Sequence, residues 1–170
     1  MSIHDYLIDH SGFDWPQLLA AWAWLLPPRV RPWLMNRYGD LFLIYPDGTV
    51  HMLDVGRGAV ERVAGSRDEF STKLDEGDNA NQWLMIPLVD RVTAAGLRLG
   101  PGQCYGYKRP PILGGDYTVE NTAVLPVGEQ LGFTGELHEQ LRDVTDGDHV
   151  RLVVRSAQDA VYDQPEVKPR

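Results

Sequence analysis

Hydrophobic residues recur at helical spacing near the start of the chain. Asp14 offers an N-cap, with Gln17 three residues on completing a capping-box pattern. Trp15, Leu18, Leu19, Trp22, Leu25 and Leu26 then fall on one broad apolar face. Pro27 and Pro28 end this helix, because proline lacks a backbone donor and clashes with the preceding turn. Its tryptophans read as core rather than as a partner-binding stripe, given the area each ring can bury. The period then changes to that of strands. Residues 40–45 (DLFLIY) are apolar and β-prone, Pro46-Asp47-Gly48-Thr49 suits a tight reversal, and residues 50–55 return. Gly56-Arg57-Gly58 makes a second turn before a third strand at 59–64. Residues 1–65 thus predict a helix packed on a three-stranded meander.

Ser66 and Glu69 form another capping-box pattern and open a helix that carries Phe70 and Leu74. Residues 75–81 (DEGDNAN) read as a loop by composition. A further helix holds Leu84, Leu88, Val89 and Val92, with Pro87 in its first turn and Gly96 as its stop. Glycine–proline clusters at 100–102 and 110–115 frame a strand at 104–108, and a second strand follows at 117–125. Residues 129–142 predict a helix, Asp146-Gly147 a turn, and 149–154 a last alternating strand. The order αβββ, then ααββαβ, lacks regular βαβ alternation. It predicts an α+β fold of mostly antiparallel sheets flanked by helices. The expected organisation is a unit at 1–65, a second α+β unit at 66–155 sharing its core, and a flexible polar tail at 156–170.

Composition adds limits. A chain of 170 residues that is 43% hydrophobic and 24% charged is ordinary for a globular protein and folds without staples. Cys104 stands alone, so no internal disulfide forms and nothing indicates an oxidising compartment. The start, MSIHDYLIDH, lacks the basic and apolar regions of a signal peptide, and the run 18–26 is too short to span a bilayer. The expectation is a cytoplasmic protein with no membrane contact. A formal net charge of −8 argues against a nucleic-acid-binding surface and permits a basic partner.

Reactive constellations are sparse. A zincin helix needs a second histidine one turn after His138, and that position is Arg142, a cation that repels a metal. His4, His10, His51 and His149 show no ligand spacing. Gly56-Arg57-Gly58-Ala59-Val60-Glu61 lacks the third glycine of a dinucleotide loop and runs into a strand. Cys104 would be a nucleophile only with a histidine beside it; the plainer reading is a small buried apolar residue. No cofactor or metal is expected, and no catalytic residue is assigned. Candidates for recognition are the acidic group Asp75, Glu76 and Asp78, and the segment 113–121 with Gly114, Gly115, Asp116, Tyr117, Glu120 and Asn121. Tyr105, Tyr107 and Tyr117 are candidate anchors, since tyrosine is favoured at interface hot spots.

Residues 39–54, GDLFLIYPDGTVHMLD, resemble the close of the GAD-related domain found beside bacterial polymorphic toxins. From about Leu97 to Val154 the chain resembles the type VI secretion immunity-protein C-terminal domain that follows it. The strings are Gly102-Gln103-Cys104-Tyr105-Gly106-Tyr107, Leu113-Gly114-Gly115-Asp116-Tyr117 with Glu120-Asn121, and Gln140 followed by Asp146-Gly147. Together the two cover residues 1–155. The resemblance implies an immunity protein that binds a cognate secreted toxin, a DNase with a basic nucleic-acid cleft, and blocks it by stoichiometric occlusion. It carries no catalytic residue onto this chain. A regulatory or scaffolding module unrelated to toxins, or a small enzyme using Cys104, are the alternatives.

Overall fold

In the computed structural model, which describes residues 2–144, an antiparallel meander runs in chain order through four strands. They are β1 (Arg31–Met35), β2 (Leu41–Ile44), β3 (Val50–Asp54) and β4 (Ala59–Ala64). The sequence predicts three of them. β1 is the addition, and Pro32 hides it: proline cannot donate to a ladder and is tolerated only on an edge or at a bulge. Both conditions hold, since β1 is an edge strand and its register with β2 shifts between Pro32 and Leu34.

Every residue of β2 is buried, because helices cover both faces of the sheet. Phe42 and Ile44 join Val50 and Met52 against α2 (Arg67–Leu74), α3 (Asn79–Trp83) and α4 (Ile86–Ala94), which contribute Phe70 and Leu88, Val89 and Val92. Phe42 meets Phe70 edge to face with ring centroids 5.0 Å apart, and Phe70 stacks on Trp83 at 5.1 Å. Leu41 and Leu43 face the other way, with Leu53 and Val55, into Trp22, Leu26 and the residues Val127 and Leu131 of α5 (Val127–Leu141). The continuous apolar run of β2 is what a strand buried on both faces requires.

The predicted N-terminal helix is broken. Asp14 accepts from the Gln17 amide at 3.3 Å and caps α1 (Trp15–Leu18), but a separate 3₁₀ turn, Ala20–Trp22, replaces its continuation. Packing overrides periodicity here. The Trp22 and Trp24 indole nitrogens donate to the carbonyls of Leu131 and Gly135 on α5, at 2.9 and 3.2 Å. Trp22 is fully buried, and Trp15 and Trp24 pack half-buried against the same cluster.

A second sheet is the antiparallel hairpin β5 (Gln103–Tyr107) and β6 (Thr122–Pro126). The Tyr105 amide donates to the Arg37 carbonyl at 2.8 Å and ties this hairpin to the β1–β2 turn. The strand expected from 117 begins only at Thr122, and α3 occupies the end of the expected 75–81 loop. The fold is α+β, with antiparallel sheets and five α-helices among the described residues. None of those helices is long and apolar enough to cross a membrane. The expected turn at 146–147, strand at 149–154 and tail at 156–170 lie outside the described residues.

Candidate functional site

A cleft of about 240 Å³ opens where four parts of the fold converge. Tyr38 and Asp40 come from the β1–β2 turn, Asp54 and Gly56 from the end of β3, Gln82 and Met85 from the α3–α4 junction, and Tyr107 and Tyr117 from the hairpin and its loop. A polar knot brings the first three parts together. The Asn36 side-chain oxygen accepts from the amides of Tyr38 and Asp40, at 2.9 and 3.0 Å. Its nitrogen donates to Asp40 Oδ2 and to the Trp83 carbonyl, both at 2.9 Å. Asp40 Oδ1 accepts from the Val55 amide at 2.9 Å. Asn36 is fully buried and nearly all of its capacity is used, as a buried amide must be.

Asp40 is buried and makes no ion pair among the described residues, and desolvation pushes its carboxyl well above the ordinary carboxylate range. The nearby Asp54 pushes it further, and the hydrogen bonds from Asn36 and Val55 oppose both. Asp54 is partly exposed and faces Arg57 Nη1 at 3.9 Å.

The aromatic wall is continuous. Tyr38 stacks on Tyr107 with centroids 5.3 Å apart, and Tyr107 meets Tyr117 edge-on, also at 5.3 Å. The Tyr38 hydroxyl bonds Thr122 Oγ1 at 2.9 Å, and burial keeps the Tyr107 phenol protonated well above its usual range. Met85, against the Tyr107 hydroxyl, holds a left-handed backbone at φ 52°, uncommon outside glycine. Tyr117 is the exposed member, 45% accessible, and among the described residues no other large apolar side chain is as exposed.

The loop that carries Tyr117 is built by Gly115 and Asn121. A Cβ at Gly115 would fall 1.8 Å from the Arg109 carbonyl oxygen, so only glycine allows this crossing. Asn121 accepts from the Arg109 amide at 2.9 Å and donates to the carbonyls of Arg109 and Asp116, at 2.9 and 2.8 Å. Gly114 takes a left-handed turn at φ 89°. These three residues form the frame of the loop; Asp116, Tyr117 and Glu120 are its exposed side chains.

The candidate residues named from sequence therefore separate. Tyr107 and Tyr117 meet in the cleft. Tyr105 is buried and donates to the Leu97 carbonyl at 2.9 Å, so both ring and hydroxyl are used internally. Asp75, Glu76 and Asp78 are exposed on the α2–α3 connection, outside the cleft lining, and none pairs with a basic side chain among the described residues. Asp78 stands at the start of α3, one turn before Gln82, and accepts from Asn81 Nδ2 at 2.7 Å. Sequence reading missed Tyr38, Asp40, Asp54, Gln82 and Met85. The only signal for any of them is a carboxylate at each end of the apolar β2–β3 run.

Reactive chemistry finds little support in the geometry. Cys104 is fully buried in the cluster of Leu41, Leu53 and Leu131, and desolvation pushes its thiol up to about 12. His138 is buried and donates to the Val55 carbonyl at 2.9 Å, which makes it a core residue. No group of three or more His, Cys, Asp or Glu side chains gathers as a metal site among the described residues. What the surface offers is an aromatic cleft with carboxylates at its floor, and exposed acidic loops.

Residues 64–138, less than half of the chain, match the model of a protein family described as "T6SS immunity protein Tdi1, C-terminal". The matched stretch runs from the last residue of β4 into α5 and supplies Gln82, Met85, Tyr107 and Tyr117 of the cleft. It supports an immunity role. No curated protein matches the chain significantly.

Proposed function

We propose that this chain is an immunity protein that binds the toxin of a type VI secretion effector and neutralises it by stoichiometric occlusion. The reading rests on one observation: the immunity-family match covers the elements that build one wall of the aromatic cleft. The toxin is a DNase, whose DNA-binding surface must be basic to meet phosphates. A chain with a net charge of −8 complements such a surface, and complementary charge speeds encounter. Contact falls on Tyr107 and Tyr117, on Asp116 and Glu120 beside them, and on the acidic Asp75, Glu76 and Asp78. Gly114, Gly115 and Asn121 serve the same surface by holding its loop. The protein carries out no reaction of its own, and it protects the cell that makes the toxin from within the cytoplasm.

The experiment is co-purification of the chain with the product of a neighbouring effector gene, followed by titration of that product's DNase activity. A one-to-one complex with activity lost at equivalence is the expected result. A captured toxin without nuclease activity would replace the DNase assignment and keep the immunity role. A folded chain that neither binds the toxin nor rescues cells expressing it sinks the reading.

A further inference from the structure

The cleft has a volume of about 240 Å³, below the roughly 300–1,000 Å³ usual for small-molecule sites. That space suits one long side chain better than a metabolite or a folded element. Its walls are tyrosine rings, and its floor and rim carry Asp40 and Asp54. None of the lining side chains is basic. Arg57 stands beside the cleft, pairs with Asp54 at 3.9 Å and is itself 61% exposed. Two carboxylates thus share one loosely held guanidinium, and the buried Asp40 makes no ion pair among the described residues.

We infer that this cleft receives a single arginine side chain of the protein partner, which on the immunity reading is the toxin. A guanidinium is planar, stacks on aromatic faces and pairs with carboxylates through its edge. Both needs are met side by side. Tyr107 and Tyr117 meet edge to face and line the cleft together, and Tyr117, the exposed one of the two, leaves ring surface open to a partner. The Tyr117 hydroxyl and Asp54 Oδ1 border the same residue, each 3.4 Å from the point where a Cβ on Gly56 would stand. An arginine laid along Tyr117 reaches Asp54 with its tip and places positive charge over the buried Asp40. The cation also relieves the repulsion between Asp40 and Asp54, which raises the Asp40 carboxyl in the free protein.

The test has a toxin-free arm and a toxin arm, both on the full chain. Ethylguanidinium is titrated into isotope-labelled protein while backbone amides are followed by NMR. Saturable shifts at Gly56, Gln82 and Tyr117 are expected, abolished by Tyr117→Ala and weakened by Asp54→Asn. Asp54→Asn keeps an oxygen for the Arg57 amide that Asp54 Oδ1 now accepts, at 2.9 Å, so the turn persists. Absence of saturable shifts, or equal shifts in both variants, overturns the site. In the toxin arm each variant weakens binding about tenfold. One arginine→alanine change in the toxin gives the same loss and adds nothing to Tyr117→Ala. Toxin binding unchanged in both variants overturns the role of the cleft and leaves the immunity reading intact. A chain that takes up ethylguanidinium but captures no toxin removes the immunity reading and leaves the cation site standing.

Discussion

His138 on α5 donates from Nε2 to the carbonyl of Val55 at 2.9 Å and so fastens that helix to the end of the meander. Its ring lies over Gly58, where a Cβ would come within 2.3 Å of the imidazole. Gly58 also holds φ 68°, so the turn and the ring both require glycine. Gly58→Ala is expected to destabilise the protein by more than about 2 kcal/mol. Burial lowers the His138 pKa below its ordinary value, so the folded state prefers the neutral ring. The unfolded chain then binds more protons than the folded one below about pH 6.5, and stability falls as pH drops through that region. His138→Gln keeps a donor but has nothing to protonate. Urea unfolding of wild type and variant between pH 7.5 and 5.5 checks this: the variant should gain stability relative to wild type as pH falls, and a constant difference between the two refutes it.

Asp40 has the opposite sign. Its folded carboxyl titrates above the unfolded one, because it is buried and Asp54 is near. The folded state therefore holds the proton more tightly, and this contribution to stability grows as pH falls from 7 towards 5. Asp40→Asn abolishes the titration while losing one accepted hydrogen bond, from Asn36 or from Val55. Wild type should gain on the variant by roughly 1–2 kcal/mol over that range. Calorimetry of both proteins at the two pH values, with His138→Gln as a common background, isolates the term. A constant difference would show that Asp40 stays charged inside the fold.

The loop that presents Tyr117 depends on Asn121, whose amide satisfies three backbone groups. Asn121→Ala strands those groups and is expected to cost about 2 kcal/mol of stability. Gly115→Ala is expected to cost more, since its added carbon meets backbone rather than a flexible side chain. Tyr117→Ala, by contrast, removes a half-exposed ring and should shift the melting temperature little. Thermal melts of the three variants test this order. A Tyr117→Ala protein as unstable as Asn121→Ala would mean that the ring supports the loop, not the reverse.

Much of this architecture was legible from residue pattern, and the failures share a cause. The runs of β2, β3 and β4 and the helix of α5 are long enough to show their period. β1 was not, because Pro32 argues against a strand unless its position at the edge is known. α3 was not, because five residues after an acidic, glycine-containing stretch read as loop; Trp83 stacked on Phe70 supplies what propensity lacks. The candidate site was legible only in fragments. Tyr107 and Tyr117 stood out by residue type, but Tyr105 stood out equally and proved to be core. Asp40 and Asp54 looked like strand ends, and only the buried Asn36 knot turns them into the floor of a cleft. Pairings between residues this far apart in the chain leave no local periodicity to read.

Asp75, Glu76 and Asp78 test the electrostatic half of the proposed function. All three are exposed, so reversing them together to lysine should change stability by less than about 1 kcal/mol. If this segment faces a basic nuclease, the change falls on encounter rather than on the closed complex. The association rate should drop at low salt and lose most of its salt dependence, with dissociation nearly unchanged. Stopped-flow association at two ionic strengths measures both. An association rate that keeps its value and its salt slope would place the toxin on another face. A faster dissociation instead would move these residues from the rim of the interface into its buried part, where losing a paired charge costs 2 kcal/mol or more by a rough general measure.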